Sequence, residues 1–307
     1  MAAREDTNVP GVGSAWSFWK TLRSVSPKVI EEEAATPFRL ALVGDPAPRA
    51  QLRAALLTRT ATAGERAAAD EYLVERADAP DAEEAKAFAF VLYASGAAAE
   101  GAGAAAGLTM GARSGANSVP IVGAPEDVAA GIIAQRPDLA VALARRFPLF
   151  RVPAANRLIQ DTCKVNANFA LLSTLPGVVP FTAIFLPASS VADTLILTKN
   201  QIMLVMRLAA IHGHKPSYTR QIRELLGTIG SALGWRTLAR ELVGFVPAGI
   251  GAALKATIAY SGTFALGKAA LWFYQTGRVP SPTEIRALYK DKLKDARAEV
   301  KALAAKE

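Results

Sequence analysis

The sequence predicts an α/β domain with a mostly parallel sheet, followed by an all-α domain whose apolar stretches fold back as hairpins. Three observations lead there. Runs of strand length stand at 38–44, 71–76, 88–93 and 119–123, all but the second mostly apolar. The charge changes along the chain: residues 1–150 hold 15 basic and 18 acidic side chains, net −3, whereas residues 151–307 hold 20 and 9, net +11, giving the whole chain +8. The second half also carries apolar stretches too long for strands. At about 100–200 residues per domain, 307 residues suggest two. The expected boundaries are an N-terminal helical arm at 1–36, the α/β domain at 37–155 and the helical domain at 156–307.

Taken in order, the arm carries Trp16, Phe18, Trp19 and Leu22 ahead of Pro27. This patch suits either a bilayer interface or packing against the following domain. Phe38–Gly44 is the first strand, and Ala50–Leu57 opens the next helix. A phosphate-wrapping loop between them needs G-x-x-x-x-G-K-[ST]: glycine for close backbone approach, lysine to neutralise phosphate, a hydroxyl for magnesium. Counted from Gly44, with Asp45 next in the loop, those places hold Arg49, Ala50 and Gln51. Pro46 and Pro48 remove two backbone N–H donors from the same loop. Glu71–Arg76 is a second strand, and Asp78-Ala79-Pro80-Asp81 follows where a GTPase has D-x-x-G. Phe88–Tyr93 reads as a central strand buried on both faces. Residues 96–107, rich in Ala and Gly, read as a mobile loop, with a weak alanine helix as the alternative. Val119–Gly123 is another short strand. In Ala124-Pro125-Glu126-Asp127, only Asp127 matches the base-gripping N-K-x-D of guanine-specific enzymes, and its ordinary role is to cap a helix opening at Val128.

In the second half, Val165–Ala192 runs 28 residues without a charge. Pro176-Gly177, Pro180 and Pro187 break it into arms of roughly 11–12 residues, about 17 Å each, too short to span a ~30 Å hydrocarbon core. A second apolar stretch, Leu242–Tyr274, is interrupted only by Lys255 and Lys268. Basic residues between and after the stretches favour hairpins dipping in from one side over single crossings. The expected lipid contacts are Leu175, Val178, Val179, Phe181, Ile184, Phe185, Leu186, Phe245, Ile250 and Trp272. The alternative is a helical bundle whose inner helices are apolar all round. Ile222, Leu225, Leu226 and Ile229 mark one face of an amphipathic helix that Ser217 caps. Ser281-Pro282-Thr283-Glu284 is a capping box with proline at the first helical position. The helix it opens has Ile285, Leu288, Ala296, Val300 and Leu303 on its apolar face, and Lys290, Lys292, Lys294, Arg297 and Lys301 on a face that is solvated or, alternatively, lies against anionic lipid.

Candidate chemistry is sparse. His212-Gly213-His214 lacks a carboxylate cluster or third histidine and reads as a helix-end turn into Lys215-Pro216. Cys163 stands beside Lys164, which would lower its pKa, but without a histidine nearby it reads as a small helix residue. One cysteine excludes an intrachain disulfide framework and fits a reducing compartment. Met1–Asp6 shows no secretory pattern. The basic half lacks interleaved aromatics for stacking bases, which leaves nucleic acid a minor option. No catalytic residue, metal or cofactor is expected.

Asn166-Ala167-Asn168-Phe169-Ala170-Leu171-Leu172, Leu175-Pro176-Gly177-Val178-Val179-Pro180, Gln201-Ile202-Met203-Leu204-Val205 and Tyr260–Lys268 resemble the YcjF-like domain. The resemblance covers about residues 140–278. Members follow Era-like GTPase domains in bacteria or stand without one, and many look membrane-associated. The family has no established chemistry, so it implies no catalytic residues. Residues 37–155 resemble an Era-like domain in strand order alone, with every nucleotide motif departing from the pattern. Together these imply a pseudo-GTPase with a helical domain on the cytoplasmic face of a bacterial inner membrane. Membrane lipids, a protein partner and a second copy of the chain are the partners to consider. The expected function is a non-enzymatic scaffold or regulator. The alternatives are an atypical GTP hydrolase and a pore-forming or lipid-perturbing oligomer.

Overall fold

The computed structural model describes residues 26–94, 108–114, 119–172, 188–217 and 252–305. Its described residues contain a five-stranded sheet in the N-terminal part and helices thereafter. By backbone proximity the chain divides into two compact units. One holds residues 28–158 and 207–216, the other includes 159–206 and 217–307, and the division falls inside two helices.

The sheet-bearing unit starts with α1 (Pro27–Ala35) and β1 (Leu40–Val43). These are followed by α2 (Pro46–Leu57), the one-turn-plus α3 (Ala63–Ala68) and β2 (Leu73–Arg76). Next come β3 (Phe90–Ala94), β4 (Met110–Arg113) and β5 (Ile121–Gly123). Two helices, α4 (Pro125–Gln135) and α5 (Ala140–Arg146), complete it, with a 3₁₀ turn at Pro148–Phe150. The strand order is β2-β1-β3-β4-β5. β1 pairs in parallel with both β2 and β3, while β3–β4 and β4–β5 are antiparallel. The sheet is therefore mixed, where a mostly parallel one was expected, although four strands share one direction and only β4 is reversed. The difference is Met110–Arg113, a strand with a central glycine and no β-branched residue, so nothing local announced it.

The expected burial of the central strand is met at Phe90–Leu92, whereas Phe88, Ala89 and Tyr93 are half-buried and the strand starts at Phe90. Leu40, Ala41, Leu42, Phe90 and Leu92 are fully buried, and Val43 and Val91 nearly so. Register places Leu40 beside Phe90, Leu42 beside Leu92 and Leu92 beside Ala112, all on one face. On the opposite face Ala41, Val43 and Val91 cluster with Phe88. There Tyr93 pairs with Gly111, and its ring occupies the space a Cβ at Gly111 would need, 2.3 Å from ring carbons. The aromatic covers the glycine's bare backbone, so β4 keeps its pairing without a side chain at that point. Helix α2 packs on β1 and β3, α4 on β4 and β5.

The helical unit takes its described residues from α6 (Arg151–Leu172), α7 (Ala188–Ile211), α8 (Ala252–Thr276) and α9 (Pro282–Ala304). Helix α8 is buried on nearly every side: Ala256, Tyr260, Ser261, Thr263, Ala265, Gly267, Ala269 and Ala270 span its whole circumference. The part of the second apolar stretch from Ala252 onward is thus covered by protein, chiefly by α9. Gly267 is needed at its place, because a Cβ there would lie 2.7 Å from Ile159 Cγ1 and 3.2 Å from both of its methyls. Inside the unit Asn166 Nδ2 donates to Thr263 Oγ1 at 2.8 Å, Asn200 Nδ2 to Asn166 Oδ1 at 2.8 Å and Gln201 Nε2 to Thr263 Oγ1 at 3.2 Å. This network joins three helices by groups that match only in one register.

Helix α9 begins as the sequence predicts. Ser281 accepts from the Glu284 amide at 3.3 Å, and Glu284 Oε2 accepts from the Ser281 amide at 2.7 Å. Ile285, Ala296 and Val300 are buried, with Leu288 and Leu303 half-buried. Lys292 departs from the expected solvated face: it is half-buried, with its ammonium 5.3 Å from the Phe264 ring centre and 2.9 Å from Asp295. The i,i+4 spacing that buries Leu288 also brings Lys292 towards the core, and the aliphatic stem covers Phe264. The predicted Ile222–Ile229 helix lies outside the described residues, as do Trp16 to Leu22 and residues 96–107.

Replacing Ser281 by alanine removes one cap bond and should destabilise the start of α9 by about 1 kcal/mol. Amide hydrogen exchange through the first turns of α9 should then rise about fivefold. Ser281→Asp, which keeps a capping oxygen, should stay near the parent rate. Equal acceleration by both variants would show that the cap bond contributes nothing.

Candidate functional site

In open α/β sheets ligands lie outside the carboxyl ends of the parallel strands, near the point where strand order reverses. Here that point is between β1 and β3, and Gly44 and Asp45 close β1 there. Gly44 has φ +120°, a conformation that favours glycine, and its amide donates to the Arg76 carbonyl at 3.2 Å. Asp45 is the N-cap of α2 in extended backbone, without a side-chain cap bond, and Pro46 is the first helical residue. The Arg49 amide already donates to the Asp45 carbonyl at 3.1 Å. Two residues therefore separate strand from helix, and Arg49, Ala50 and Gln51 lie within α2. A phosphate cradle requires several successive amides converging on one point. This turn has no length for one.

Side chains at this edge bind each other. Arg49 Nε, buried and without a hydrogen bond, lies 3.5 Å from Glu75 Oε2. Arg53 reaches Asp70 at 2.6 Å and Glu75 at 3.5 Å, and Arg76 reaches Glu84 at 2.8 Å. Partly exposed pairs of this kind contribute little stability, about 0–1 kcal/mol each, but they occupy the guanidiniums. Asp78 is exposed just beyond β2, beside the end of β1. Asp127 is not brought to it. Three strand spacings separate β1 from β5, roughly 14 Å at about 4.8 Å per strand. Nor does Asp127 open a helix at Val128. Helix α4 starts at Pro125 with Ala124 as N-cap, and Asp127 sits inside the first turn, where its charge still favours the helix dipole.

Cys163 is buried, and burial pushes its thiol up to about 12, outweighing any nearby lysine. Desolvation disfavours the thiolate, and Cys163 packs inside α6 as the small helix residue the sequence predicts. His212-Gly213-His214 ends α7 as a turn, as the sequence predicts. Gly213 takes φ +84°, its amide donates to Ala210 and that of His214 to Ala209, the paired bonds of a Schellman motif. His212 Nδ1 lies 2.8 Å from the Leu208 carbonyl, and burial lowers its pKa. Among the described residues no group of three His, Cys, Asp or Glu side chains could hold a metal. Of the expected lipid contacts, only Trp272 lies within the described residues. It is half-buried, with the Arg278 guanidinium 4.9 Å from its ring centre. Among those residues no helix is long and apolar enough to cross a membrane.

A cluster that sequence reasoning missed stands elsewhere in the sheet-bearing unit. Arg145 donates to the carbonyls of Ala210 and His214, at 3.3 and 3.4 Å. Arg151 donates to the Ile211 carbonyl at 3.0 Å and pairs with Glu65. Arg207 makes a two-bonded pair with Glu33, at 2.7 and 2.6 Å. The Arg145-Arg146 doublet was visible in the sequence, but its partners lie more than 60 residues away.

Compared with known proteins, the chain matches no protein-family model, no curated protein and no solved structure.

Arg151 and Glu65 expose only 15% and 17% of their side chains, so removing either leaves a poorly hydrated charge. Arg151→Met should cost about 2 kcal/mol of stability in urea unfolding. A double-mutant cycle with Glu65→Gln should return a coupling of at least about 1 kcal/mol. Additive effects would show that the pair is not coupled.

Proposed function

We propose that the chain is a non-enzymatic, membrane-associated scaffold or regulator that presents a degenerate GTPase-like domain to a partner. The observation that carries the non-enzymatic reading is the two-residue passage from β1 into α2. With Pro46 and Pro48 lacking N–H groups and Ala50 at the place of a nucleotide hydrolase's lysine, the edge offers neither a phosphate cradle nor that cation. The Era-like reading of this half and the YcjF-like reading of the helical half rest on the sequence segments that carry the resemblance. The membrane reading rests on the charge-free Val165–Ala192, on the apolar residues before Ala252, and on the +11 balance of the second half. Its setting would be the inner face of a bacterial membrane, with anionic lipid on one side and a protein partner on the other.

Calorimetric titration of the full chain with GTP or ATP and magnesium should show no micromolar binding at the β1 edge, and Asp127→Ala should leave any heat unchanged. Micromolar binding that disappears in Asp127→Ala would replace this reading by an atypical hydrolase.

For the membrane, the full chain and a 151–307 fragment should both float with vesicles containing anionic lipid. Single cysteines near residues 10, 215 and 300, in a Cys163→Ala background, should all label from the cytoplasmic side. Labelling of position 215 from outside would show crossing segments and favour a pore. Full recovery of the chain in the soluble fraction would remove the membrane from the account.

A further inference from the structure

A polar cleft of about 350 Å³ opens in the sheet-bearing unit, lined by Thr62, Glu65, Arg145, Arg146 and His212 among others. None of Gly44–Gln51, Asp78 or Asp127 lines it, so the cleft is no part of the β1 edge. Its volume is at the lower end of small-molecule sites, and among its lining side chains two are guanidiniums and one is a carboxylate. Arg145 and Arg146 are successive residues at the end of α5. Among the described residues neither makes a salt bridge: Arg145 bonds two carbonyls, and the Arg146 guanidinium lies 4.7 Å from the Tyr72 ring centre. Burial, and then the neighbouring Arg146, lower the pKa of Arg145, as expected for two like charges held together and partly dried.

The anionic side of the cleft is already used. Glu65 pairs with Arg151 and accepts from the Thr62 amide at 2.7 Å. Glu31 acts on Arg145 from outside the lining. The lining itself therefore sets two guanidiniums, of Arg145 and Arg146, against one carboxylate, Glu65. One positive charge is left over, concentrated on the adjacent pair that no carboxylate contacts. Two half-buried forks of N–H donors with excess positive charge match a tetrahedral oxyanion, whose several oxygens can accept from both.

We propose that this cleft binds a phosphate group, clamped between Arg145 and Arg146. The group can belong to a soluble phosphorylated molecule or to a phospholipid headgroup, since both present the same oxygens.

Phosphorus NMR of inorganic phosphate with the full chain tests it. Saturable line broadening is expected, and Arg146→Gln should weaken the apparent affinity at least tenfold. Arg146 is the variant of choice because Arg145 also holds the end of α7. Arg146→Lys, keeping the charge but not the fork, should fall between. Arg297→Gln, an exposed site in the helical unit, should match the parent. Equal affinity in parent and Arg146→Gln, or an equal loss in Arg297→Gln, overturns the proposal, because either result reduces the effect to diffuse charge. If Arg146→Gln does not fold, phenylglyoxal modification of the parent replaces it: phosphate should slow modification of Arg146, and absence of protection overturns the site. Phosphatidylcholine vesicles doped with phosphatidic acid identify the source. Competition with free phosphate that depends on Arg146 supports a lipid headgroup, and Arg146-dependent phosphate binding without such competition supports a soluble ligand. Loss of vesicle flotation with intact phosphate binding would defeat the membrane reading and leave this site standing.

Discussion

The sheet-bearing unit depends on arginines that hold a distant piece of chain. Residues 207–216 follow the rest of the unit by about fifty positions, yet Leu208, Ala209, Ala210 and Ile211 are fully buried within it. They end α7, and a helix end leaves carbonyls without intrahelical donors. Arg145 and Arg151 supply donors to Ala210, Ile211 and His214, and Gly213 permits the turn that satisfies Ala209 and the remaining bond of Ala210. Cations at a helix C-terminus also oppose its negative dipole end. Arg207 ties the same segment to Glu33 on α1. Without these bonds the burial of four apolar residues would strand the helix-end carbonyls in a dry environment, at a cost of about 1–3 kcal/mol for each unpaired group. The same arrangement makes the wall of the cleft, because His212 and Gly213 face it together with Arg145 and Arg146.

This constraint separates two properties of the unit that the sequence alone invites one to merge. The strand order and helix coverage give a scaffold able to place a ligand at the end of β1. The local chain there is built otherwise, with a tight Gly44-Asp45 turn, a proline start and ion pairs closing over the helix. The proposed phosphate site lies instead at the end of α5, where Arg145 and Arg146 line the cleft. In the helical unit the corresponding polar feature is neutral: amides and hydroxyls of Asn166, Asn200, Gln201 and Thr263 satisfy one another and fix how α6, α7 and α8 match.

Much of the fold was legible wherever a local rule governs. Uninterrupted apolar runs identified β1 and β3 because a strand buried on both faces has no polar side. Ser281-Pro282-Thr283-Glu284 identified the start of α9 because all its bonds lie within four residues. His212-Gly213-His214 could be read as a turn because only glycine readily adopts its φ. Where partners are remote, the reading failed. β4 is stabilised by register with β3 and by the Tyr93 ring over Gly111, neither of which leaves a trace in Met110–Arg113 itself. Helix α4 begins three residues before the expected position because Pro125 fits the first turn better than the acidic cap rule suggested. The raised Cys163 pKa comes from packing, which adjacency to Lys164 could not reveal. The arginine cluster was invisible for the same reason, since its carbonyl partners come from another part of the chain.

Native-state hydrogen exchange of the amides at residues 208–214, compared with those of β1 and β3, tests most directly whether the returning segment is integral to the unit. If the arginine contacts make it so, both sets should open with the same free energy and the same denaturant dependence, as one cooperative unit. Exchange of 208–214 at a much lower free energy, with little denaturant dependence while the strands stay protected, would contradict the account and show the segment to be a detachable covering.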